Sequence, residues 1–363
     1  MAYMKIKPTD SLFFGSGKPF NAGSDSWTDS SFLPNPSVIW GAMFSVLYQE
    51  NKIIKTKDKN KKTIVSDAER EKLKIKNIYL YQKENNVMSF LVPTPLDVYI
   101  DEYNNNYISK VQKINHSFLS NYPLKYISMI EKDNLEVADK SFIRIDSLFK
   151  NYQNHFELSL YPFDKIFRQD YKIGIKIDKK TNTAEDTKLY RIDLTQFEEE
   201  KESGFVVEYE FKEENFEPNG ILKLGGEGKT AQFEIIEPTT RSFKNLDKRR
   251  EESIKQIKED KYFKLYFKTP ALLKCAWQPN KIKGLKLLSA NVGKYISIGG
   301  FDMETNKPKK MQRFIPAGSV YVYKIEDESI DFEKLIKNEI EFDESYKGFG
   351  LFEILSIEEK IDE

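Results

Sequence analysis

A chain of 363 residues, 39 % hydrophobic and 13 % aromatic, carries enough apolar material for the cores of two domains, which excludes wholesale disorder and dependence on disulfide or metal staples. Its 57 basic and 57 acidic residues cancel, so no global field draws in nucleic acid; an RNA site has to be a local basic groove with the acids placed elsewhere. The single cysteine, Cys275, excludes an internal disulfide and a Cys-based zinc site, and no window approaches the ~20 apolar residues of a membrane span.

Met1 to Asp10 has no apolar run of the signal-peptide kind, so the chain is expected to be cytoplasmic. Tyr3 to Lys7 alternates as a short strand. Ser11 to Ser37 is rich in Gly, Ser, Asn, Asp and Pro, the chemistry of a long loop, and long ordered loops usually carry function. Ser37 is placed to cap a helix that is apolar nearly all round, from Val38, Ile39 and Trp40 to Val46, Leu47 and Tyr48, which expects burial on several sides. Asn51 to Lys76 reads as a solvated loop or short surface helix, Asn77 to Tyr81 and Phe90 to Pro93 as paired strands, and Thr94 to Asn154 as an irregular insertion without an assigned role.

Tyr171 to Ile177 and Lys188 to Leu194 form a hairpin around a turn-rich segment, Asp178 to Asp186. Phe205 to Phe211 is an alternating strand, followed by Gly220 to Leu224, the loop Gly225-Gly226-Glu227-Gly228, and a strand from Gln232 to Ile236. A highly charged helix, Leu246 to Lys261, suits a linker. Strands are then expected at Tyr262 to Phe267, Tyr295 to Ile298 and Ser319 to Ile325, a helix at Phe332 to Ile340, the turn Gly348-Phe349-Gly350, and a last strand at Leu351 to Ile357. Both halves start on a strand and end on a helix-like piece, a glycine loop and a strand. That order suggests an α+β chain of two β-α-β-β-α-β, ferredoxin-like (RRM-like) domains: 1–240 with the insertion and the hairpin, 262–363, and 241–261 as helical linker. Such units take RNA on the open sheet face or along a loop edge.

Little here suggests catalysis. Gly228-Lys229-Thr230 ends like a P-loop, but Lys223 stands where the first glycine is required. His116 and His155 belong to no cluster, and no metal or cofactor is expected. The glycine loop is either a tight turn or a cradle in which Gly225, Gly226 and Gly228 expose N–H groups to a phosphate beside Lys229. In the first loop Lys18 suits a phosphate, Phe20 a base face, and Asn21 lies between them and Gly23; Phe20 serves equally as a loop anchor. Gly299 to Arg313 holds Lys307, Lys309, Lys310 and Arg313 with no acid after Glu304, a local phosphate surface. Cys275, in an apolar run, reads as a buried structural thiol.

Several segments together resemble the third subunit of Cmr complexes, the type III-B CRISPR effectors. They are Pro8-Thr9-Asp10-Ser11-Leu12-Phe13-Phe14, Lys18 to Gly23, Phe32 to Ser37 with Gly41-Ala42, Leu222 to Lys229, Gly299-Gly300-Phe301-Asp302 and Phe314 to Tyr321. Gly174-Ile175 through Leu189-Tyr190 is similar to the β-hairpin thumb of that family. Gly15 and Ser16 replace an Arg-Asp pair often found there, and Phe44 a basic residue. The resemblance implies a RAMP protein of two ferredoxin-like domains with no catalytic residue. It implies a subunit that holds the 5′ tag of the crRNA and joins the large polymerase-like subunit to the RAMP backbone subunits, its thumb wedged into the guide–target duplex. Lys18, Phe20, Asn21, the glycine loop with Lys229, and Lys309, Lys310 and Arg313 are then the expected RNA contacts, with Arg168 and Lys172 at the base of the thumb. The rival readings are a crRNA-processing endoribonuclease of the same superfamily, using His116 or His155, a purely architectural subunit, and the type III-A counterpart.

Overall fold

The structure is a computed structural model, and it describes residues 2–15, 27–28, 33–57, 63–85, 87–114, 124–152, 158–178, 181, 183–213, 215–237, 241–279, 281–302, 307–340, 342, 344–357 and 361. The chain is mixed α/β, with sheets that are mostly antiparallel.

The larger sheet is built from β1 (Ala2–Pro8), β2 (Leu73–Glu84), β3 (Val87–Pro93), β4 (Ser141–Arg144) and β5 (Leu160–Pro162), then, beyond the hairpin of β6 (Phe167–Ile177) and β7 (Ala184–Phe197), from β8 (Glu202–Phe211), β9 (Asn219–Lys223) and β10 (Thr230–Ile236). Its strand order is β5-β4-β3-β2-β8-β1-β10-β9. Alternation decides which face each residue takes. Met4 and Ile6 of β1 and Phe205, Val207 and Tyr209 of β8 point to one core. There they meet α1 (Pro36–Gln49), whose Ile39, Met43 and Leu47 are fully buried. The cap lies two residues before the expected one: Asn35 is the N-cap and Pro36 occupies the first turn, where its missing N–H costs nothing. Trp40 stacks on Phe44 at 4.6 Å and donates its indole N–H to the Leu73 carbonyl at 3.0 Å, so the aromatic face of the helix is spent on packing.

The smaller sheet has β11 (Tyr262–Phe267), β12 (Leu285–Asn291), β13 (Val320–Ile325) and β14 (Phe352–Ser356) in the order β12-β13-β11-β14. The charged helix α2 (Arg241–Asp260) packs on β14, with Ser253 bonding both Ile354 and Ser356, and α3 (Phe332–Ile340) contributes Phe332 and Ile336 to the same core. Leu285–Asn291 escaped the sequence reading because a bulge between Leu287 and Ser289 breaks its alternation. In the first half, the place expected for a second helix is taken by the edge strand β9. Within Asn51 to Lys76 lie a two-residue hairpin, the short helix Asp67–Arg70 capped by Ser66, and the start of β2.

The open sheet faces, one of the two expected RNA surfaces, are filled. Lys264, Tyr266 and Lys268 alternate with Phe263, Leu265 and Phe267 and point at the larger sheet. Tyr266, Val320 and Leu355 share an apolar cluster with Tyr79, Tyr81 and Val206 of that sheet. With the faces packed together, loop edges and the hairpin remain for a ligand. Cys275 corrects another expectation. It is exposed, because its segment closes into a turn at Ala276 (φ +55°) rather than a core strand.

Candidate nucleic-acid interface

One surface forms where the end of β1, the glycine loop and the base of the hairpin meet. After β1 the chain turns at Asp10 and lies along β7: Leu12 and Thr195 exchange both backbone hydrogen bonds, at 2.7 and 2.8 Å. The next carbonyl, Phe13, accepts from the Gly226 N–H at 2.9 Å. A Cβ on Gly225 would stand 2.4 Å from that same oxygen, and Gly225 has φ +82°; one on Gly226 would stand 2.7 Å from the Phe13 ring. The close approach these glycines permit is therefore to the chain's own loop. Gly228 (φ +68°) has open space around it, and Glu227 also takes a positive φ, +57°.

Lys229 ties the surface together. Its ammonium donates to Asp10 Oδ2 at 3.1 Å and to Ser11 Oγ at 2.9 Å. The Ser11 N–H and then Lys229 hold the Asp10 carboxyl below its usual range. Asp10 is itself largely exposed, so a phosphate can take its place on Lys229 by a side-chain rotation. Lys172 reaches across from β6 to Glu227 at 3.8 Å, and exposed Arg168 donates to Gln196 on β7 at 3.0 Å. Lys172, the glycine loop and Lys229 are thus brought together, while Arg168, four residues before Lys172 on β6, bonds across the hairpin instead.

The hairpin has two unlike sides. Tyr171, Ile173, Ile175 and Ile177 share one face of β6, each more than half exposed. Arg191 lies over the Tyr171 ring at 4.5 Å and bonds Asp193 at 2.9 Å. Lys172 and Gly174 alternate with that stripe. The stripe was written in the sequence as period two, but alternation alone does not say that a face is left uncovered.

The basic segment of the second half lies elsewhere, on the body of the smaller sheet. Gln312–Phe314 pairs with Ile296–Ile298, and the Lys309 N–H bonds the Gly300 carbonyl at 2.8 Å. Lys309 is engaged by Glu344 at 2.6 Å; Lys310 and Arg313 are exposed, and the Arg313 guanidinium sits 4.7 Å over Tyr295, an aromatic the sequence reading did not mark. Lys18, Phe20 and Asn21, with His116 and His155, lie outside the described residues. Among the described residues no group of three or more His, Cys, Asp or Glu side chains is arranged to hold a metal ion, and no helix is long and apolar enough to cross a membrane.

Comparison with known proteins supplies the frame for these surfaces. The model of the CRISPR-associated protein family Cas_Cmr3 matches residues 4–357. The chain is 27 % identical over 357 residues to the CRISPR system CMR subunit Cmr3 of Saccharolobus solfataricus, covering 94 % of this chain and 90 % of that one. Its fold is similar to that of a chain in the type III-B Cmr-beta complex bound to cognate target RNA, seen by cryo-electron microscopy, with a TM-score of 0.52 and 19 % identity over 95 % of this chain and 92 % of the other.

Proposed function

The chain belongs to the CRISPR-associated Cmr3 family, and from that membership we propose that it is a non-catalytic RNA-holding subunit of a type III-B CRISPR effector complex in the cytoplasm. In this reading it grips the 5′ tag of the guide RNA and bridges the large polymerase-like subunit to the RAMP backbone subunits. The observation that carries it is the family match across 4–357, combined with a surface on which Lys172, the glycine loop and Lys229 converge, with Arg168 on the same strand as Lys172. Lys18, Phe20 and Asn21 follow Ser11 closely in the sequence and supply further contacts, and Lys309, Lys310 and Arg313 serve as a second phosphate-contact patch. The grip is local, as a neutral chain requires.

The strand orders support the ferredoxin-like reading of both halves. In chain order the strands β1, β2, β8 and β10 stand as fourth-first-third-second across the sheet, and so do β11, β12, β13 and β14. In this reading the units are 1–240 and 262–363, with the helix 241–261 between them. The hairpin of β6 and β7 is the thumb, and its exposed aliphatic face suits insertion at a guide–target duplex, where an unstacked base offers an apolar partner.

The test is co-expression with the neighbouring CRISPR genes, followed by sequencing of the co-purified RNA. Short RNAs with one common 5′ tag are expected from the parent complex, with a severalfold loss in Lys172→Glu, Lys310→Glu, Arg313→Glu. A complex that forms without discrete RNA would reject the reading, and undiminished guide in the triple variant would reject these contacts.

A further inference from the structure

The segments 94–114 and 124–152 play no part in the RNA reading, yet both sheets hold them: the larger through Ser141–Arg144 and the smaller through Asp97 and Ser128. Lys264 sits inside the joint, 6 % exposed, on the face of β11 turned to the larger sheet. A buried ammonium needs a carboxylate, and Asp97, 1 % exposed, supplies it at 2.9 Å. Both oxygens of Asp97 also accept from the Tyr152 hydroxyl, at 2.7 and 2.8 Å. The neighbouring Leu96 N–H bonds the Gly318 carbonyl at 2.8 Å. Gly318 has φ +89°, and a Cβ there would stand 2.8 Å from the Thr94 carbonyl, so the Pro316-Ala317-Gly318-Ser319 turn is shaped to admit this segment. Further on, the hairpin of Lys110–Lys113 and Tyr126–Met129 lies against β12. Tyr126 joins Leu288, Val322 and Ile357 in one cluster, and the Ser128 and Ser289 hydroxyls meet at 2.9 Å.

We infer that the segments 94–114 and 124–152 form a strap that fixes the angle between the two sheets, and that Asp97, acting through Lys264, is the positioning residue that sets the spacing between the glycine-loop surface and the basic hairpin at 307–313. The inference rests on the RNA reading in one respect: the spacing matters because both surfaces hold one RNA. Apolar side chains such as Val320 and Leu355 can slide against their partners at little cost. A carboxylate that accepts from Lys264 and Tyr152 at once is satisfied in one arrangement only. Buried ion pairs contribute little net stability against apolar replacements of similar size, and here the pair selects the register instead.

The experiment pairs Asp97→Leu with Lys264→Met in the full complex. Spin labels go on exposed Cys275 and on the thiol of Val87→Cys, which replaces an exposed residue at the start of β3. Melting is expected within about 4 °C of the parent. The label-to-label distance distribution is expected to broaden from one narrow peak. If the competent arrangement falls to about a tenth of the population, guide affinity falls about tenfold. Tyr152→Phe, which keeps the ion pair and removes the hydroxyl that donates to Asp97, is expected to broaden the distribution less; it provides the measurement should the double variant not fold. An unchanged narrow distribution, in whichever variant folds, overturns the strap. A broadened distribution with undiminished guide affinity overturns the positioning role. A parent complex without discrete RNA overturns the RNA reading instead, while the distance measurement still judges the strap.

Discussion

Glu353 is enclosed between Lys268 and Arg250, with the Lys268 ammonium 2.6 Å away. Burial pushes its carboxyl up, but the two cations outweigh burial and hold it at about 2. Lys268 itself is pushed down by burial, with Arg250 acting in the same direction against the pull of Glu353. The Glu353 value lies below the unfolded value of about 4.3, so its contribution is complete above that pH and lost as pH falls toward 2. Glu353→Gln is expected to cost about 3–5 kcal/mol at pH 7 in urea unfolding, because it strands the buried Lys268 ammonium and takes a partner from half-buried Arg250, and less at pH 3. Gly225→Ala is expected to cost about 1–3 kcal/mol, since its φ of +82° and the Phe13 carbonyl 2.4 Å from the added Cβ both oppose it. Hydrogen exchange at the Leu12 amide, bonded to Thr195, should speed up if the loop loosens as argued. At this scale the sequence marked Gly225, Gly226 and Lys229 as special but not their partners. Phe13, Asp10 and Ser11 are some two hundred residues away in the chain, and local spacing does not reach them. Asp97 and Lys264 were invisible for the same reason: a single Asp or Lys reads as solvated until the fold buries it.

Among the elements, the hairpin of β6 and β7 carries the sharpest expectation. Tyr171, Ile173, Ile175 and Ile177 are exposed, so their replacement should not disturb the core. Ile173→Lys with Ile175→Lys is expected to change stability by less than about 0.5 kcal/mol per site, while capture of target RNA by the guide-loaded complex falls. A large drop in melting temperature would show instead that the stripe packs within the chain. The hairpin, the helix α1 and most strands were legible because period two and an all-round apolar helix are local signals. What failed was local also. The bulge in β12 hid a core strand, a Pro at the first helical turn moved the cap of α1 from Ser37 to Asn35, and β9 is too short for its alternation to be told from the expected helix.

For the molecule as a whole, zero net charge means that RNA affinity comes from few contacts. Lys310→Glu with Arg313→Glu, titrated against a single-stranded guide in the assembled complex, should flatten the slope of log affinity against log salt by about 1.4, two contacts' worth. An unchanged slope would remove this patch from the interface. The mixture of helices with strands was foreseen from the order of the elements, but the packing of the two open faces was not. The residues at the joint, such as Lys264 on β11 and Lys268 just after it, look like ordinary solvent-facing positions. The pairing of β1 has a further consequence, for synthesis. Met4 lies opposite Val207 and Ile235, and Ile6 opposite Phe205 and Phe233. At about 5–20 residues per second a ribosome needs roughly 10 to 50 s between making the first of these strands and the last. Once residue 49 is made, and for the rest of that interval, α1 is complete but lacks the full sheet that covers its apolar sides, so the nascent chain has to be shielded by chaperones, and synonymous codons that slow the stretch before residue 236 should lower soluble yield without changing a single side chain.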